Sequence, residues 1–383
     1  MRLSPEAELV VRGTAPGEPD RKRLEELLDA NPDWDAVARF LAFHRLQQQF
    51  CCRLREVRPD AVPAWLEEAF RRSLRETLLL TRELVNVVDL LASESIRALP
   101  FKGPALSLEA YGSLAFRSFD DLDILVRRSD VWRAREALRS AGYQPKLELN
   151  PAREADYLNA YDEFLLRGAD GTPLIELHWA FVPVQFGFTL GFDECWPARR
   201  QLTLANRAIP SLDAQDLLLV LSVHGAKHGW AYLGLITDVA WLLDRHRMPW
   251  ETLIERARAM GILRMLLVPV KLASDVFGVA PDPVAARAIA ADPEVGRLAA
   301  EIIEGVFELN GRKHHDERLI VQSGRLHMRM RERLGDRVRY CVRLTTRPGV
   351  EDWQAVDLPA WLSFLYPILR PPRLVAKYLS RAR

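Results

Sequence analysis

The chain has 383 residues, of which 53 are Lys or Arg and 52 are Asp or Glu, with 49% apolar and 27% charged residues. At roughly 100–200 residues per domain this predicts two or three folded units, and the proportions exclude a largely disordered or collagen-like chain. A net charge of +1 excludes binding of nucleic acid through overall charge, so no DNA partner is expected. The most apolar run, Leu217–Val223, falls far short of the ~18 residues that span a bilayer. The opening MRLSPEAELVVRG carries no apolar stretch, so no signal peptide is expected. Cys51, Cys52, Cys195 and Cys341 form no CxxC pair and no disulfide spacing, which suits core-filling thiols in a reducing cytoplasm.

The first ninety residues predict helices over 21–30, 34–50 and 64–91, the second capped by Asp33. In the third, Leu66, Phe70, Leu74, Leu78, Leu79, Val85, Val88 and Leu91 make one apolar stripe. The pattern changes at Ser95. A short extended segment, 96–101, runs into Lys102-Gly103-Pro104, and Pro104 suits the first turn of a helix that Gly112 ends. A polar loop then leads to Asp121-Leu-Asp-Ile-Leu-Val126, an alternating strand, and Ser129 caps a helix over 130–141. Segments 161–166 and 173–179 read as two strands joined by a hairpin turn at 168–171. From Asp213 the chain returns to helix, over 213–228, 234–246, 250–279, 283–307 and 325–344. The expected organisation is a helical region at 1–92, a small α+β unit at 93–205 and a helical region at 206–383. Segment 325–347 holds eight arginines against Glu332 and Asp336, and 370–383 adds five basic residues and no acid.

The chemistry concentrates in Lys102-Gly103-Pro104, Arg117 and Asp121-x-Asp123. Side chains at i and i+2 of a strand share a face. Asp121 and Asp123, about 7 Å apart along the backbone, therefore converge on one point and repel each other unless a cation lies between them. Leu122, Ile124 and Val126 point the other way, into a core. Carboxylate pairs of this kind suit Mg²⁺, whose shell is completed by water and phosphate oxygens. Glu176, in Leu174-Ile-Glu-Leu-His-Trp179, supplies a third acid if its strand lies beside 121–126. Three acids on two strands can hold two Mg²⁺ ions against a phosphate, activate an attacking hydroxyl and stabilise a leaving pyrophosphate. Lys102, Arg117 and the backbone N–H groups after Gly103, at a helix start, are the expected phosphate donors.

The order Lys-Gly, helix, Arg, Asp-x-Asp on a strand and a later acid on another strand resembles the polymerase-β-like nucleotidyltransferase superfamily. It resembles more closely a poorly characterised bacterial nucleotidyltransferase family. Glu176-Leu-His178-Trp179, His224-Gly-Ala-Lys227-His228 with Asp238, and the closing Leu358-Pro, Leu365-Tyr and Arg370-Pro extend the resemblance from about Leu66 to the end. The spacing from Lys-Gly to Asp121 is longer than the superfamily's usual ten or so residues. The resemblance implies a small mixed sheet flanked by helical regions, and metal ligation by Asp121, Asp123 and Glu176. It also implies transfer of an NMP from an NTP, expected to be ATP, to a hydroxyl or phosphate acceptor, whether sugar, glycan, peptide, protein or RNA. Fold analogy does not identify that acceptor. A non-catalytic nucleotide-binding, antitoxin-like or adaptor protein on the same scaffold is the alternative.

The softer candidates carry structural readings as well. His178 shares a strand face with Glu176 and is expected to line the same cleft. His224 and His228 share a helical face around Lys227, where contact with nucleotide or acceptor competes with buried structural histidines; HExxH is absent, which argues against zinc. Asp238 lies in an apolar helix and needs a partner, for which His224, His228 or Lys227 would serve. The basic C-terminal segments read as solvated helix faces, or as a surface for an anionic partner. With Trp361-Leu-Ser-Phe-Leu-Tyr-Pro-Ile-Leu, they also read as a peripheral membrane contact for a cytoplasmic protein.

Overall fold

The computed structural model describes residues 3–148, 150, 153–168, 173–308, 324–356 and 358–381. It is an α+β fold in which one mixed sheet of five strands is flanked by helices. The strands are β1 Ala98–Pro100, β2 Asp121–Val126, β3 Gln144–Pro145, β4 Glu163–Arg167 and β5 Leu174–His178, in the spatial order β1-β2-β5-β4-β3. Only β2 and β5 run parallel, and their register sets Asp123 beside Glu176 and Leu125 beside His178. The antiparallel pair β4–β5 sets Glu163 opposite His178. The turn expected at 168–171 falls mainly outside the described residues.

Alternation along β2 divides the sheet. Leu122, Ile124 and Val126 are fully buried in one core with Leu84, Val88 and Leu91 of the long helix Ala64–Ser93 and with Val131, Ala134 and Leu138 of the helix Val131–Ser140. Asp121 and Asp123 face the other side. That side is closed by a second core, which merges the helices Pro5–Thr14, Trp34–His44 and Gln47–Val57 with Ala214–Lys227, Leu233–Arg245 and Leu263–Phe277. Leu99, Phe101 and Leu125 join that second core, so the carboxylate face of the sheet lies against the helical part of the molecule. No helix among the described residues is long and apolar enough to cross a membrane.

Several long helices expected from the sequence are broken. Segment 34–50 divides at Arg45, which takes a left-handed conformation (φ +58°) and closes Trp34–His44. Segment 250–279 divides at Gly261 (φ +71°), and 283–307 divides at Asp292-Pro293, where the proline begins a new helix. The chain leaves the helical path over 330–333 before Leu334–Thr346. Leu78 and Leu79, assigned to the apolar stripe, are exposed; Leu80 and Leu84 are buried instead. The hairpin of β6 Arg200–Leu204 and β7 Arg207–Ser211 turns through Ala205 and Asn206, both at positive φ. A primed turn built on Ala lacks the Asn-Gly or Gly signal by which such hairpins are read.

Candidate active site

The site is assembled across the sheet. Lys102 follows β1, Asp121 and Asp123 lie on β2, Glu176 and His178 on β5, and Glu163 opens β4. Lys102 Nζ donates to Asp123 Oδ1 at 2.6 Å, with both side chains largely withdrawn from solvent. His178 Nε2 stands 3.3 Å from that same oxygen and 3.4 Å from a carboxylate oxygen of Glu163 and of Glu176. Ligand atoms of Asp123, Glu176 and His178 all lie within 4.8 Å of one another, as do those of Asp162, Glu163 and His178. Asp121, expected to pair with Asp123 as a metal ligand with Glu176 as the third, stands outside this cluster but remains in its field.

Electrostatics follow from that crowding. Burial acts against the charged forms, yet Lys102 and His178 hold the Asp123 carboxyl well below the usual carboxylate range. Burial opposes protonation of His178 too, but contact with Asp123 and Glu176 and the charge of Glu163 raise it to about 10. Lys102 is likewise raised by Asp123, Glu176 and Asp121 in spite of its burial. Asp121, lacking such a cation of its own, is pushed up to about 6 by burial and by the charges of Asp123 and Glu176. Buried carboxylates are therefore balanced here by protonated side chains.

The residues present fit a divalent cation. Asp123 Oδ2 is buried without a hydrogen-bond partner among the described residues, and an orphaned buried acceptor is costly. Asp123 Oδ2 and the Glu176 carboxylate are oxygen ligands suited to Mg²⁺, with Asp121 close enough to add charge.

The remaining candidates divide. Gly103 begins the helix Gly103–Tyr111 at φ +53°, and a Cβ there would lie 3.4 Å from the Asp121 carbonyl oxygen; the glycine lets the Lys102 turn approach β2. Lys102, Arg117 and His224 line one small cavity of about 40 Å³, together with Arg45, Ser118, Tyr232 and Asp238. Arg117 is turned towards Asp238: its Nε donates to the two carboxylate oxygens at 2.9 and 3.2 Å. Tyr111 Oη also donates to Asp238, at 2.7 Å. The expectation that His224, His228 or Lys227 would neutralise Asp238 is therefore corrected; the partner is an arginine from the sheet unit. The His224 and His228 rings are in contact, with centroids 4.5 Å apart. Burial and the nearby Lys102 keep His224 neutral, well below the ordinary histidine range. Lys227 Nζ lies 3.9 Å from Asp162 Oδ2.

Arg45 and Glu163 escape a reading of the sequence. Arg45 is brought to the cavity by the helix break that its own left-handed conformation makes. Glu163 carried a signal, an acid heading the strand antiparallel to Glu176-Leu-His178, but it becomes visible only once the strands are paired.

The family model described as an uncharacterised nucleotidyltransferase matches residues 30–278. Among solved structures, the chain is similar to a lincosamide antibiotic adenylyltransferase, LnuA, in its lincomycin-bound form. That match has 15% identity, covers 43% of this chain and 97% of the other, and has a TM-score of 0.32. It is also similar to an antigenic nucleotidyltransferase-like protein from Paracoccidioides brasiliensis, at 12% identity over 58% of this chain and 92% of the other, with a TM-score of 0.31. No curated protein matches the sequence.

Proposed function

The chain belongs to the uncharacterised nucleotidyltransferase family, and we propose that it moves an NMP from an NTP, ATP in the first instance, to a hydroxyl or phosphate oxygen of an acceptor. In that reaction the acceptor oxygen bonds to the α-phosphorus, the bond from that phosphorus to the bridging oxygen breaks, and pyrophosphate leaves. Asp123 and Glu176, with Asp121 beside them, would hold Mg²⁺, which supplies charge neutralisation at the phosphates when bound. The observation that carries the reading is the buried Asp123 carboxylate, paired on one oxygen with Lys102 and orphaned on the other. A scaffold without chemistry gains nothing from gathering Asp123, Glu163 and Glu176 around one imidazole.

Lys102 binds the triphosphate and Arg117 adds charge while Asp238 fixes its direction; the expected backbone donors after Gly103 are corrected, because Pro104 has no N–H and those of Ala105 and Leu106 donate to the Lys102 carbonyl. The cavity beside Lys102 is bordered by Arg45, Arg117 and Tyr232. His178, protonated among the acids, orients Glu176 and Asp123. Glu176 is placed to accept the proton of the attacking hydroxyl. The basic C-terminal region would meet the acceptor or an anionic surface.

The test is pyrophosphate release from each of the four NTPs with Mg²⁺ and candidate acceptors. Wild-type protein releases it and folded Asp123→Asn does not. Equal release by the two proteins refutes the assignment. Tight NTP binding with no release for any acceptor favours the non-catalytic alternative.

A further inference from the structure

Beyond β4 lies a separate cavity of about 190 Å³ between Ala160-Tyr161-Asp162 and the C-terminal helices. Its basic lining is Arg343, Arg347 and Arg370. Arg370 is neutralised, paired with Asp352, to which Arg373 also donates at 2.5 Å. Arg343 donates to the carbonyl of Val184 at 2.7 Å. Among the described residues neither Arg343 nor Arg347 pairs with a carboxylate. Three other arginines of the same basic segment are spent otherwise: Arg329 on Glu294 and Glu301, Arg339 on Asp336, and Arg331 buried over the Tyr340 ring.

Arg347 is partly buried, and close enough to Arg343 and Arg128 to be disfavoured as a cation by both. Arg128 spends its guanidinium on the neutral side chain of Asn159. Arg343 and Arg347, two arginines lining one cavity without a carboxylate partner, form an arrangement that an oxyanion relieves, and the guanidinium fork matches phosphate in particular. Asp162 borders this cavity and also belongs to the cluster with Glu163 and His178, so the cavity opens beside the candidate reacting centre. Its volume falls below the 300–1,000 Å³ of a site for a whole drug-sized ligand. It is large enough for a phosphate group. Arg343 and Arg347 lie beyond the 30–278 region matched by the family model.

We propose that the cavity formed by Tyr161, Asp162, Arg343 and Arg347 binds a phosphate group carried by the acceptor, while the NTP occupies the Lys102 flank. The naming of the ligand as acceptor rests on the transferase reading; the affinity for phosphate does not.

The probe is inorganic phosphate, titrated calorimetrically into the full-length protein without metal or nucleotide at constant ionic strength. Wild type binds it, and Arg347→Gln and Arg343→Gln each weaken binding at least tenfold. Acetate at equal ionic strength binds at least tenfold more weakly, and saturating ATP with Mg²⁺ leaves phosphate binding in place. Protection of Arg343 and Arg347 from phenylglyoxal by phosphate, mapped by peptide mass, gives the same answer on wild-type protein should a variant misfold. The proposal is overturned if phosphate does not bind, if both variants bind it as wild type does, if acetate binds equally, or if ATP displaces it. A wild type that binds phosphate through Arg347 but never binds ATP refutes the transferase reading and leaves the phosphate site standing.

Discussion

Arg117 and Asp238 are 121 residues apart in sequence and joined by hydrogen bonds of 2.9 and 3.2 Å in a largely buried setting. The pair ties the loop before β2 to the helix Leu233–Arg245, and so fixes the carboxylate strand against the helical core. Asp238→Asn leaves a buried guanidinium uncompensated and should cost about 3 kcal/mol. Tyr111→Phe removes only a hydroxyl donor from the same carboxylate and should cost about 1 kcal/mol. Thermal unfolding of the two variants checks the ranking; a larger loss for Tyr111→Phe would show that the ion pair is not the main tie.

Gly225 lies in the segment His224-Gly-Ala-Lys-His228, and the Trp230 ring covers it. A Cβ at 225 would sit 2.3–2.5 Å from three ring carbons of a fully buried tryptophan. Gly225→Ala should therefore cost about 1–3 kcal/mol through overpacking, and Trp230 fluorescence should shift as the ring is displaced. An unchanged melting temperature would mean that the helix and the ring part freely.

His44 shows how acid weakens the fold. It is fully buried, accepts from the Leu233 N–H at 3.1 Å and is lowered to about 3 by burial. The unfolded chain takes up a proton near the ordinary value of about 6.5, while the folded chain does not. Stability is therefore intact above about pH 6.5 and is lost progressively as pH falls toward 3. By pH 5.5 the loss from this residue is about 1 kcal/mol. His44→Gln keeps an acceptor for Leu233 and should narrow the gap in melting temperature between pH 7.5 and 5.5. An unchanged gap would place the acid sensitivity elsewhere.

Lys102 is tied to Asp123 and faces the cavity proposed for the phosphates. Lys102→Gln removes a charge-assisted hydrogen bond, which corresponds to about 10–100-fold in NTP affinity. Filter binding of labelled ATP checks this, and affinity equal to wild type would remove Lys102 from the nucleotide site.

What could be read in the sequence was local. The bounds of β2 follow from its alternation, and the burial of Leu122, Ile124 and Val126 from the same pattern. The pairing of Asp123 with Glu176 needed only the guess that two strands are neighbours. Helix breaks were harder. Gly261 was a visible stop signal inside an apolar periodicity that ran past it, and Arg45 adopts a left-handed conformation that no arginine advertises. The partner of Asp238 could not be read at all, because it arises from packing two units whose contact no periodicity encodes. The cations of the C-terminal segment looked alike in sequence; only their placement separates paired Arg329, Arg339 and Arg370 from Arg343 and Arg347.

The central claim is that Asp123 and Glu176 gather a divalent cation on the face of the sheet opposite its buried core. Mn²⁺ titration followed by electron paramagnetic resonance reads this without any substrate. Wild-type protein should take up Mn²⁺ and Asp123→Asn should bind it at least tenfold more weakly, with far-UV circular dichroism unchanged. Equal Mn²⁺ uptake by a folded Asp123→Asn protein would contradict it.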